Sequence, residues 1–119
     1  QCKFFDNYPD YFSNPQETRE CNTAWLAFPI MIKEGAPFTR KEFQIFLEKR
    51  NIQTRVVFTG NILRQPMCQN ISKKVLEEGY PNADRVMAKG VLLPLHHGMT
   101  ETMFIRLHAT IDEFIGQYE

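Results

Sequence analysis

The hexapeptide Phe38–Phe43, FTRKEF, constrains the fold of this chain more tightly than any other stretch. Thr39 can cap the backbone at Glu42 while the Glu42 side chain reaches back, and Phe38 can staple to Phe43, so a helix has to start here. It carries Phe43, Phe46 and Leu47 on one face and Lys and Glu on the other, and Asn51 suits a left-handed stop. A helix with one apolar stripe needs a layer to lie on. Three apolar runs can supply it.

The first run, AWLAFPIMIK over Ala24–Lys33, is rich in aromatic and β-branched residues and predicts a strand. Pro29 cannot donate to a ladder, so the strand is expected to lie at an edge there or to carry a bulge. QTRVVFTG predicts a second, short strand ending at Gly60, and NILRQPMCQN a loop, because Pro66 refuses regular structure. NISKKVLEEG, Asn70–Gly79, suits a short helix with Ile71, Val75 and Leu76 as its apolar face. PNADRVMAKG repeats the helix grammar with an Asn before and a Gly after, and VLLPL gives a third strand. From Thr100 the spacing of Met103, Leu107, Ile111 and Phe114, with Phe104, Ile115 and Tyr118, predicts an amphipathic helix that Met99 can staple. The expected architecture is α+β: a small two-layer sandwich with a three-stranded, mostly antiparallel sheet and helices packed on one face.

A length of 119 residues, 43% hydrophobic, fits one domain. Lys+Arg 14 against Asp+Glu 14 leaves no electrostatic footprint for nucleic acid or an anionic membrane face. No run approaches the roughly 18–20 apolar residues that span a bilayer, and the N-terminus lacks the order of a signal peptide, so a soluble, cytoplasmic protein is expected. Cys2, Cys21 and Cys68 are widely spaced and read as free thiols. The start, QCKFFDNYPDYFSNPQETRECN, has no helical or alternating period. It looks like a cut end whose aromatics belong against upstream protein, so residues 1–21 are set apart from 22–119, the domain proper.

Candidate chemistry is sparse. His96 and His97 are adjacent, so in an extended segment they point to opposite faces and cannot easily serve one metal, with or without Cys68. One can pack under the strand end while the other faces solvent or a neighbouring domain, or one can line the mouth of a site built with that domain. Cys68 has no local base and acid to make it a nucleophile. His108, at the margin of the last helix's stripe, reads as a partly buried, hydrogen-bonded side chain. Arg55, Arg64 and Arg85 are surface charges by default, but they stand on loops and helix ends near strand termini, where binding residues concentrate. Asn61, after Gly60, is a turn residue by default and a ligand contact by exception. No catalytic residue and no metal site is read. A ligand-binding regulatory domain, a subunit interface and the minor lobe of an enzyme all stay open.

TAWLAFPIMIKEG, IQTRVVFTGNILRQP, PNADRVMAKGVLLPLHHGMT and IDEFI occur in the order and spacing of the C-terminal part of the DegT-type nucleotide-sugar aminotransferase and dehydrase family. The likeness runs from about Phe12 to Ile115. The pattern TR, then GN, then RQP looks most like the 3-dehydrase branch, which removes the 3-hydroxyl from nucleotide-linked 4-keto-6-deoxyhexoses. The resemblance implies the small domain of a fold-type I enzyme that uses pyridoxal phosphate or its pyridoxamine form, related to aspartate aminotransferase. In that family the catalytic lysine of the aminotransferases, or the histidine that replaces it in the dehydrases, lies upstream with the cofactor contacts. Lys33, Lys41, Lys49, Lys73, Lys74 and Lys89 are then not cofactor lysines, and this chain alone is expected to be inactive and to bind no cofactor.

Carried over position by position, Arg85 resembles the small-domain arginine that faces the active site, and a guanidinium offers a bidentate fork to substrate or cofactor oxygens. Gly60 and Asn61 resemble the GN turn, and Arg64 and Gln65 the RQP loop; Arg55 stands beside them in the strand. His96 and His97 depart from the dehydrase pattern and suit interdomain contact. The implied partners are a large cofactor-binding domain of the same chain and a nucleotide-linked sugar, in a homodimeric parent, with neither nucleic acid nor membrane. The rival expectation is a self-contained α+β ligand-sensing or protein-interaction module.

Overall fold

The computed structural model describes all residues, Gln1–Glu119. In chain order the elements are α1 (Cys2–Phe5), β1 (Phe12–Ser13), β2 (Phe28–Ile32), α2 (Arg40–Glu48), β3 (Arg55–Val56), α3 (Pro81–Lys89), β4 (Gly90–Leu93) and α4 (Glu101–Ile115), with 3-10 turns at Ile62–Arg64 and Pro66–Cys68. The strands form one antiparallel sheet in the order β1-β2-β4-β3. The α+β reading holds with four strands instead of three. The extra one, β1, pairs only Phe12 with Ile32 and Ser13 with Met31, too short a segment to show alternation. Because β1 stops there, Pro29 has β4 alone as a neighbour, which is the edge position its missing N–H demands.

Alternation along the two central strands puts Phe28, Ile30, Ile32, Val91 and Leu93 on one buried face. Phe43 and Leu47 of α2 and Leu107, Ile111, Phe114 and Ile115 of α4 join them in one core. The capping box at Thr39 and Glu42 is complete, the Phe38 and Phe43 rings lie 6.3 Å apart, and Asn51 takes φ 58°, as the sequence demands. On α4 the buried stripe starts only at Leu107, and Met103 and Ile105 are exposed.

The N-terminal aromatics depart from expectation. Phe5 and Phe12 are core residues, 1% and 3% exposed, and Phe5 stacks on Phe28 at 5.7 Å. Gln1 donates to the carbonyl of Pro94, and the Tyr8 hydroxyl donates to Asp112. Burial, together with that carboxylate, pushes the Tyr8 phenol up to about 12. Compact packing by short, aperiodic turns leaves no sequence period, which is why these side chains look unpartnered when read in line.

His108 of α4 stacks on Phe4 at 4.0 Å between centroids and 3° between planes. Its Nε2 is buried without a hydrogen-bond partner, contrary to the satisfied side chain expected. Burial holds its pKa below the usual histidine value, so the unfolded chain takes up the proton first as pH falls. Stability attributable to neutral His108 is therefore intact above about pH 6.5 and declines as pH drops toward the lowered folded value. Urea titrations across that range are expected to show the decline, and His108→Phe to remove it.

Two further readings fail. Asn70–Gly79 is not a helix; Ile71, Val75 and Leu76 lie 53%, 48% and 46% exposed, and three apolar residues without a surface to cover cannot repay helix nucleation. In α3 the cap position is Tyr80 and Pro81 is the first helical residue, which puts Asn82 inside the helix. Gly90 does not stop α3 in a left-handed turn; it is extended and opens β4.

Candidate functional site

The 24 residues between β3 and α3 contain the one built polar cluster of the candidate residues. Gly60 starts it, with φ 63° and so close an approach to α3 that a Cβ there would lie 2.3 Å from Met87 Cβ. Asn61 is 4% exposed, its Oδ1 accepting from Leu63 N–H at 3.0 Å and its Nδ2 donating to Asp84 Oδ1 at 2.8 Å. Arg64 grips the same carboxylate with both prongs, Nε to Oδ1 at 3.0 Å and Nη2 to Oδ2 at 2.9 Å. Gln65 ties back to the carbonyl of Thr59, and Arg40 of α2 donates to the carbonyl of Met87 at 2.6 Å. The Arg64 guanidinium, and after it the Asn61 amide, hold the Asp84 carboxyl at about 2. The loop is thereby fastened to the first turn of α3. Beside the seam is an open cleft of ≈ 350 Å³ whose walls include Asn61, Arg64, Lys73, Tyr80 and Asp84.

Gly60, Asn61, Arg64 and Gln65 are thus brought together; Arg55, Arg85, His96 and His97 are not part of the cluster. Both polar ends of Asn61 are used within the protein, so it holds the turn. Arg85 is exposed and makes no hydrogen bond or ion pair, its guanidinium open to a ligand. Arg55 lies exposed in β3 opposite Leu92. His96 and His97 are exposed, their rings 6.3 Å apart and nearly perpendicular, and His96 Nδ1 accepts from Gly98 N–H at 3.1 Å. His96 thus shapes the turn before α4, on a separate cleft of ≈ 230 Å³ with Met99, Met103 and Arg106. No three His, Cys, Asp or Glu side chains gather around a metal-sized space, and all three cysteines are unpaired.

Asp84 escapes a reading of the sequence. An acidic residue in the first helical turn is explained by the helix dipole alone, and its partners stand 23 and 20 positions upstream. The available signal was the pairing of an Asn-x-x-Arg turn with an acidic residue at the start of the next helix.

Four antiparallel strands backed by helices, with a polar loop fastened to the start of α3, make this an α+β lobe. No nucleophile with an adjacent base is present among the candidates. The chain belongs to the DegT/DnrJ/EryC1/StrS aminotransferase family, whose model matches residues 5–112. It is 31% identical over 107 residues to the lipopolysaccharide biosynthesis protein RfbH of Salmonella typhimurium, covering 90% of this chain and 24% of that protein. To the dTDP-4-dehydro-2,6-dideoxy-D-glucose 3-dehydratase of Saccharopolyspora spinosa it is 32% identical over 103 residues, covering 87% of this chain and 22% of the relative. Among solved structures, the E. coli GDP-4-keto-6-deoxy-D-mannose-3-dehydratase with bound hydrated PLP superimposes with a TM-score of 0.76 at 23% identity, over 90% of this chain and 28% of that one. The chain spans about a quarter of the length of the curated relatives it matches.

The residues present do not fit pyridoxal phosphate as a covalently held cofactor. Lys3, Lys33, Lys41, Lys49, Lys73 and Lys74 are exposed at the surface, and Lys89 pairs with Glu34 at 3.5 Å. Lys73, on the ≈ 350 Å³ cleft, is spent on the carbonyls of Cys68 and Gln69. Lys41 and Lys49 border a wide, open groove of ≈ 530 Å³ along α2, where both stay exposed to solvent.

Proposed function

We propose that this chain is the C-terminal small lobe of a nucleotide-sugar aminotransferase or 3-dehydrase, nearer the 3-dehydrase branch, that uses pyridoxal or pyridoxamine phosphate. The cofactor and its catalytic lysine or histidine belong to a large lobe of the same polypeptide, with residues 1–21 as the connector. The observation that carries this reading is the relation to two bacterial sugar-biosynthesis proteins at 31% and 32% identity, one of them a 3-dehydratase, over only about a quarter of their length. The chain's own residues bind and exclude water: the Gly60–Gln65 loop and α3 present Arg85 to the oxygens of a nucleotide-linked 4-keto-6-deoxyhexose. A cytoplasmic homodimer is the expected setting.

Arg85 tests the reading. In the full-length enzyme, loss of a charge-assisted hydrogen bond worth about 1.5–3 kcal/mol in Arg85→Ala is expected to raise KM for the nucleotide sugar roughly 10- to 100-fold. Arg85→Lys is expected to recover only part of it, because an ammonium lacks the fork. Steady-state kinetics reads both, and an unchanged KM in Arg85→Ala would remove Arg85 from the site.

A further inference from the structure

We infer that Asp84 is the positioning residue of this site: from the first turn of α3 it fixes the Gly60–Gln65 loop and neutralises Arg64, so that of Arg64 and Arg85 only Arg85 keeps an open guanidinium. The inference rests on the proposed function for its kinetic consequence and on geometry alone for the rest. Both carboxylate oxygens are occupied, Oδ1 by the Asn61 amide at 2.8 Å and the Arg64 Nε at 3.0 Å, Oδ2 by Arg64 Nη2 at 2.9 Å. An exposed ion pair by itself contributes little. Here the pair shares its carboxylate with Asn61, 4% exposed, whose amide is left without a partner once the carboxylate is gone. Depression of the Asp84 pKa to about 2 keeps the carboxylate charged throughout the neutral range. Gly60 adds the shape: its contact with Met87, too close for any Cβ, brings the loop near enough to α3 for a short carboxylate to reach it.

Arg64 and Arg85 consequently divide two tasks. The Arg64 fork is turned inward onto Asp84, although its side chain is 64% exposed, and its charge is compensated. Arg85, one position further along the helix, points off in another direction, since successive helical side chains diverge by about 100°. Of the two, only Arg85 offers an anion an uncompensated guanidinium.

Limited trypsin digestion of the full-length protein tests this without reference to catalysis. In Asp84→Asn, cleavage after Arg64, Lys73 and Lys74 is expected to speed up at least about tenfold, because the loop opens locally. Cleavage after Arg19, in a segment that Asp84 does not touch, is expected to stay unchanged as an internal control. Asp84→Glu is expected to restore most of the protection. If Asp84→Asn fails to fold, Arg64→Ala read at Lys73 and Lys74 gives the same comparison from the other side of the pair. Equal cleavage in wild type and variant, or equal acceleration after Arg19, overturns the inference. In the enzyme, Asp84→Asn is expected to raise KM for the nucleotide sugar about fivefold while kcat stays within about twofold, and Asp84→Glu to bring KM back. A fall in kcat with KM unchanged contradicts positioning. Wild-type enzyme without any turnover of nucleotide sugars, alongside site-selective cleavage, would leave Asp84's role standing and remove the proposed function.

Discussion

Phe43→Ala is expected to lower the unfolding free energy by about 3–5 kcal/mol, the range for emptying a fully buried aromatic site. Phe43 is 0% exposed and is the ring on which three parts of the chain converge: Phe12 of β1 at 5.4 Å, Phe38 of the staple at 6.3 Å and Phe114 of α4 at 5.2 Å. Those neighbours are themselves fixed, by strand pairing, by the capping box and by a 15-residue helix, so the void cannot collapse cheaply. Domains of this size are stable by only about 5–15 kcal/mol, so the loss is a large share of the total. Urea unfolding measures it, with the slope unchanged if the denatured state is unaffected. The matched control is Ile105→Ala: that side chain is 61% exposed, and its truncation is expected to stay within about 0.5 kcal/mol.

Gly60→Ala is expected to have the second-largest effect, for two separable reasons. A side chain at φ 63° is strained by about 1–2 kcal/mol, and its Cβ would lie 2.3 Å from Met87 Cβ and 2.7 Å from Met87 Cα, backbone that cannot rotate away. Relief requires the loop to lift off α3, and overpacking of that kind adds about 1–3 kcal/mol. Gly79→Ala isolates the first cause, because Gly79 has φ 69° and nothing within 4 Å of an added Cβ. The expected order is therefore Gly60→Ala well beyond Gly79→Ala, with loop cleavage by trypsin rising only in the former. Equal destabilisation by the two would mean that the contact with Met87 contributes nothing.

What the sequence disclosed was whatever is encoded within one turn or one strand. FTRKEF specifies its helix because cap, box and staple all lie within six residues, and GVLL before Pro94 can only be a buried strand. The stretch NISKKVLEEG misleads because a weak local pattern counts only when a surface exists for it to cover. The N-terminal aromatics mislead in the opposite sense: Phe5 and Phe12 reach the core from one helical turn and a two-residue strand, neither long enough to show a period. At the site, the GN turn and the Arg64 loop were legible as turn chemistry and Arg85 was singled out by the family resemblance, while the choice of Arg64 for an inward ion pair was not legible. That choice is made by Asp84 through contacts spanning 20 and 23 positions, a relation visible only once the chain has folded. His96 and His97, conspicuous in the sequence, are both exposed, and His96 Nδ1 accepts from Gly98 N–H in the turn before α4.

Under the proposed function this lobe covers a reaction whose chemical groups reside in another lobe. Turnover of a nucleotide-linked 4-keto-6-deoxyhexose with added pyridoxal phosphate and an amino-acid donor that converts it to the pyridoxamine form, measured for these 119 residues alone and for the same residues joined to the large lobe, tests it most directly. The expected result is no stoichiometric cofactor binding and no turnover from the lobe alone, and turnover from the joined protein. Stoichiometric capture of pyridoxal phosphate by a lysine of the isolated lobe, or turnover without its companion, would contradict it.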